Sequence, residues 1–180
     1  MSMALALAGL PHWMDFMVAG ATAMAAWTDY RTGKIYNWLT LPVLAFGLAM
    51  AAVHGSAIFA QAAAGVGVAA LIFIPLFALG IMGGGDAKLM MALGGVLGVS
   101  NTLDLTLVSF AIASICGVVL MARQKRIKIF GREIFLFLRS LVVRGLETHW
   151  PKLSRETKTP FGIAIFLGWL MLFLAKTVHQ

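Results

Sequence analysis

The chain has 180 residues, of which 61% are hydrophobic and only 12% charged, with a net charge of +7. A soluble domain carries about 45–50% apolar and about 25% charged residues, so the composition excludes a water-soluble globule and points to a polytopic membrane protein. The positive balance is explained by basic cytoplasmic loops rather than by nucleic acid, and a single cysteine, Cys116, excludes an internal disulfide and a Cys-rich zinc site.

A membrane span needs about 20 apolar residues. In chain order the sequence predicts an all-α protein with six spans, at 8–27, 38–54, 57–82, 87–102, 104–122 and 160–178, forming a single membrane-embedded domain over 1–180. The first apolar stretch starts at once, with no Lys or Arg before Arg31. It therefore lacks the basic n-region of a signal peptide and is read as part of the first span.

That span closes on Trp27-Thr28-Asp29-Tyr30-Arg31, and a polar stretch runs on to Asn37. His54-Gly55-Ser56 divides the second span from the third, which contains Pro75. Gly83-Gly84-Gly85-Asp86-Ala87-Lys88 opens the fourth, and Ser100-Asn101-Thr102 is expected to separate it from the fifth. The fourth is the short one, and an apolar run of about 10–14 residues can be re-entrant. Charge decides for a crossing. With six spans, thirteen of the fourteen Lys and Arg fall on one side, leaving Lys176 alone on the other. The positive-inside rule then puts both termini outside.

Residues 123–159 hold ten of the basic residues, interleaved with Phe130, Phe135, Phe137 and Leu138. That mixture fits a basic amphipathic segment lying in the cytoplasmic interface between the fifth and sixth helices.

The same parity places Asp29 and Asp86, 57 residues apart, at one membrane boundary, the cytoplasmic one. A lone carboxylate there is well explained as a helix cap or a snorkelling group. Asp86, just ahead of a helix, suits a cap. Asp29 does not, since acids are unfavourable at helix C-termini. Two carboxylates at one depth suggest acid/base chemistry: a pair that shares a proton can activate a water with one member and polarise a carbonyl with the other. The glycines ahead of Asp86 leave backbone exposed for an extended peptide to pair with. The four His residues are scattered without metal-ligand spacing, so neither metal nor cofactor is expected. Gly94-x-x-x-Gly98 is a spacing that packs helices, though common by chance in such a chain.

Gly83-Gly84-Gly85-Asp86-Ala87-Lys88 resembles the GxGDxK signature of the type IV prepilin peptidases, a branch of the intramembrane GxGD aspartyl proteases. Asp29 to Asn37 resembles the family's DxRxxxIPN motif, with Tyr36 where Pro is common. Lys158-Thr159-Pro160-Phe161-Gly162 resembles the Pro-Phe motif that opens the last helix. The resemblance implies that Asp29 and Asp86 are the catalytic dyad, that Gly83 and Gly85 shape the active-site loop, and that Lys88, Arg31, Asn37 and Pro160 support it. It also implies cleavage of a short basic leader from prepilins and pseudopilins at the cytoplasmic face of a bacterial inner membrane. The chain lacks the Cys-tetrad domain of larger members and looks like the short form associated with Flp/Tad pili, without methyltransferase activity. Homo-oligomerisation is left open. A small proton- or cation-coupled transporter using the same aspartates is the alternative, although such sites usually lie near the midplane. A structural subunit of a secretion system, in which neither aspartate matters individually, is the third reading.

Overall fold

A computed structural model of the chain describes residues 12–123, 132 and 161–178. It is all-helical among the described residues: α1 (His12–Thr32), α2 (Asn37–Val53), α3 (Ser56–Ala78), α4 (Gly84–Arg123) and α5 (Phe161–Val178). The chain forms two compact units, one of Met1–Ile112 with Pro160–Gln180 and one of Ala113–Thr159. Of the second, the description covers the end of α4 and Arg132, so the expected interfacial segment at 123–159 lies almost entirely outside the described residues.

Among the described residues three stretches are long and apolar enough to cross a membrane: Ser56–Ala78, Gly84–Leu120 and Phe161–Val178. Asn37–Val53 is apolar but shorter, at 17 residues. Large apolar side chains such as Phe16 and Leu71 stand more than three-quarters exposed. In water such a surface would be a liability; against lipid it is the expected outer face.

By length alone Gly84–Leu120 is one stretch, but its contacts show two antiparallel limbs. On the first limb, Gly84 faces the Phe77 ring, and a Cβ on Gly94 would lie 2.5 Å from the Gly65 carbonyl oxygen, so this limb runs antiparallel to α3. Phe110, on the second limb, stacks on Phe73 with ring centroids 5.5 Å apart. Phe73 lies between Gly65 and Phe77 along α3. Phe110 is therefore level with a point between Gly84 and Gly94, whereas a straight helix would carry it about 24 Å beyond Gly94, at 1.5 Å per residue. The chain turns back at Gly98, whose φ of 71° and ψ of −176° interrupt the helix.

The expected break at Ser100-Asn101-Thr102 thus falls a little earlier, and these three residues are helical. Their polarity serves the turn rather than forming it. Asn101 Nδ2 donates to the Leu97 carbonyl at 2.9 Å and the Thr102 hydroxyl to the Gly98 carbonyl at 2.5 Å. Those bonds satisfy carbonyls freed by the break in a place without bulk water. Gly94 does pack against a neighbouring helix, while Gly98 is the turn. The Gly98 conformation belongs to a region that is essentially glycine's alone, and it costs other residues about 1–3 kcal/mol. A Cβ there would meet nothing closer than 3.8 Å. Gly98→Ala should accordingly lower stability by about that amount through backbone strain alone, measured as a lower thermal midpoint in detergent.

Two other boundaries differ from expectation. Helix α3 stops at Ala78, short of residue 82, because Gly80 takes φ 72° and the amides of Gly80 and Ile81 turn back to Phe77 and Leu76. That is a Schellman stop. Helix α1 runs past residue 27 to Thr32 and ends on Gly33, with φ 62° and its amide bonded to the Asp29 carbonyl at 2.8 Å.

Helices α1 and α5 pack antiparallel. Asp29 meets Gly162 at one end, and Asp15 meets Lys176 at the other. Phe161, at the start of α5, closes an aromatic cluster with Phe73 and Phe110. The core therefore runs along the first limb of α4, where Leu89, Met90 and Leu93 are fully buried, and reaches Phe73, Leu105 and Ile165. Its aromatic cluster braces the end of the molecule that holds Asp29.

Candidate active site

Asp29 is in the last turn of α1 and half-buried. Its Oδ2 accepts the Gly162 N–H at 2.8 Å. Gly162 is the second residue of α5, so a carboxylate badly placed on its own helix is well placed at the N-terminus of another, where free amides and the helix dipole favour an anion. The approach is close: a Cβ on Gly162 would lie 3.0 Å from both Cβ and Oδ2 of Asp29 and 3.2 Å from the Ala25 carbonyl oxygen. Asp29 lies two residues past the expected 8–27 span. Partial burial pushes its carboxyl above the usual carboxylate range, and the Gly162 amide pulls the other way.

Asp86 is the third residue of α4 rather than a residue ahead of it. Its Oδ2 reaches back to accept the Gly83 N–H at 3.3 Å, half of a capping box. The chain between α1 and α2 lies against the glycines. A Cβ on Gly85 would fall 2.8 Å from the Ile35 carbonyl oxygen and 2.9 Å from Ile35 Cβ. Only glycine at 85 lets buried Ile35 come so near, which draws residues 33–37 and residues 83–86 together.

Between them is a cleft of about 310 Å³, lined by Asp29, residues 33–37 and residues 83–86. Both expected aspartates open into it. Carboxylates lining a cleft are the kind of group that can exchange protons with a water in acid/base hydrolysis. Among the described residues no three His, Cys, Asp or Glu side chains cluster closely enough to hold a metal ion.

The other expected residues fall as follows. Gly83 and Gly85 line the cleft. Asn37 opens α2 at its rim, and Asn37 Oδ1 accepts a bond from Lys88 Nζ at 3.0 Å, so these two meet in an exposed polar pair. Arg31 turns along its own helix, with its guanidinium 4.6 Å over the Trp27 ring. Tyr36 holds extended backbone at φ −90° and ψ 146°. This is near the region proline fixes, so its departure from the motif leaves the entry to α2 intact. Pro160 lies outside the described residues. Gly162 received no role from the sequence, although it stands in the last quoted motif; a glycine just inside an apolar helix was the available signal.

Residues 16–121, more than half of the chain, match the sequence model of the type IV leader peptidase family. The chain belongs to that family. The matched stretch contains Asp29, Asp86 and both walls of the cleft. No curated protein and no solved structure matched the chain. Membership in the type IV leader peptidase family makes this chain a peptidase by class, with prepilins as its implied substrates, and the apolar helices agree with a membrane protein.

Proposed function

We propose that this leader peptidase is an aspartyl endopeptidase in which Asp29 and Asp86 act as one catalytic unit. The observation that carries the reading is that two carboxylates 57 residues apart line the same cleft. In the reaction, the ionised carboxylate takes a proton from a water, and that water's oxygen attacks the scissile carbonyl carbon. The protonated carboxyl polarises the carbonyl oxygen and then delivers its proton to the leaving amine as the C–N bond breaks. Gly84 and Gly85 are already helical and Gly83 is bonded at both its amide and its carbonyl, so the edge expected from these glycines is taken up by the start of α4.

In the membrane, the fold-back at Gly98 supports six spans over a single re-entrant loop, because the first limb of α4 runs beside α3 from Phe77, opposite Gly84, to Gln61, opposite Gly98. Six spans put both termini outside and the cleft at the cytoplasmic face of the inner membrane. The substrates are prepilins of the Flp type, cut between a basic leader and the apolar helix that follows it.

Cleavage of a matched prepilin in membranes carrying Asp29→Asn or Asp86→Asn tests the proposal. Loss in each, with the protein still inserted, is the expected result; retained cleavage in either removes the dyad.

A further inference from the structure

A second polar cluster lies at the end of α1 and α5 farthest from the cleft. Asp15, in the first turn of α1, and Lys176, in the last turn of α5, form an ion pair of 2.8 Å with side chains 11% and 5% exposed. Beside them Asn101 is buried, and its Oδ1 has no hydrogen-bond partner among the described residues. Asp15, Leu97, Asn101 and Lys176 line a common cavity of about 10 Å³. That is room for about one water, which excludes a peptide or a cofactor, so the cluster is not a second reaction site.

We infer that Asp15, Lys176 and Asn101 form a positioning lock that sets Asp29 against Asp86 from about 21 Å away, 14 residues at 1.5 Å each. Three elements carry the groups at the cleft: α1 carries Asp29, α4 carries Asp86 and α5 carries Gly162. Each sends one group into the far cluster. Asp15 comes from α1 and Lys176 from α5, while Asn101 ties off the α4 limb that begins near Asp86 by bonding to Leu97. The registers match. Asp15 and Asp29 are 14 residues apart (29 − 15), as are Gly162 and Lys176 (176 − 162). The ion pair and the Asp29–Gly162 hydrogen bond are therefore opposite ends of one antiparallel pair, and sliding or rotating α5 breaks both. An ion pair in an apolar interior tolerates little displacement, because either charge left alone there is strongly unfavourable. These three residues touch no substrate; they act through the placement of Asp29.

The inference rests on the proposed dyad, so its test carries a readout that needs no chemistry at the carboxylates. The full chain in lipid vesicles is compared with Lys176→Met, Asp15→Asn and the reversed pair Asp15→Lys with Lys176→Asp. Prepilin cleavage gives kcat and KM. In a Cys116→Ser background, cysteines placed at 29 and 86 give a rate of disulfide formation that reports their approach. Each single change is expected to lower kcat by at least about tenfold, with KM altered less than about twofold, and to slow the cross-link. The reversed pair is expected to recover kcat to within about threefold. Singles with normal kcat and normal cross-linking overturn the lock, as does a reversed pair no better than the singles. Slowed cross-linking in a protein whose Asp29→Asn form still cleaves keeps the lock and discards the dyad. Should the single variants not accumulate, Asn101→Ala, which leaves the ion pair, takes their place: slower cross-linking supports the lock and an unchanged rate overturns it.

Discussion

Asp86→Asn and Asp29→Asn are each expected to reduce kcat by about 10⁴-fold, the upper end of what general acid–base groups supply, while leaving the fold in place. Both aspartates also serve as helix caps, Asp86 on the Gly83 amide and Asp29 on the Gly162 amide. An asparagine carbonyl still accepts such a bond, and Asn is as good a cap as Asp. It cannot, however, take a proton from water or give one to an amine. The amide variants therefore separate the two roles that the geometry superimposes. Purely structural aspartates would give active enzymes; a catalytic dyad gives inserted, normally melting, inactive ones. Cleavage of prepilin in membranes, read beside a thermal midpoint in detergent, makes the distinction.

Gly162→Ala is expected to cost about 10²-fold in kcat, the loss that a misplacement of about 1 Å brings to a reacting group. The added methyl would lie 3.0 Å from Asp29 Cβ and Oδ2 and 3.2 Å from the Ala25 carbonyl oxygen. The flexible carboxyl end can rotate away, but Cβ of Asp29 and the α1 backbone at Ala25 can yield only if the two helices separate. That movement lengthens the 2.8 Å bond from the Gly162 amide and shifts the carboxylate across the cleft. Because the apolar contact of α1 with α5 extends well beyond this point, insertion and helix content should be nearly normal. A variant with unchanged kcat would show that Asp29 is placed by something other than α5.

That Asp29 and Asp86 fall at the same end of the molecule was legible in the sequence, because charge is rare in this chain and each sits at the end of an apolar stretch; the cleft they line needed three dimensions. Glycines 83 and 85 were legible as a motif, but the reason for Gly85, the Ile35 carbonyl against it, needed three dimensions. The contribution of Gly162 left little trace because its donor is a backbone amide, which every residue but proline carries. The break in α4 was misplaced by a few residues for a related reason. Ser100, Asn101 and Thr102 read as loop by polarity, yet they are helical residues whose side chains stitch a turn made by Gly98. Lys176 seemed the lone cation on its face; its partner Asp15 is 161 residues away in sequence, and no local pattern connects them.

The burial of the Asp15–Lys176 pair has a consequence for assembly in the membrane. Asp15 lies in the first turn of α1 and Lys176 in the last turn of α5, so the two charges enter the bilayer at opposite ends of synthesis. Until α5 arrives Asp15 lacks this counter-charge, and a lone charge in an apolar interior is strongly unfavourable. The last helix is therefore what completes the first. A chain truncated before α5 should insert its earlier helices yet hold α1 loosely, read as faster proteolysis of α1 in membranes.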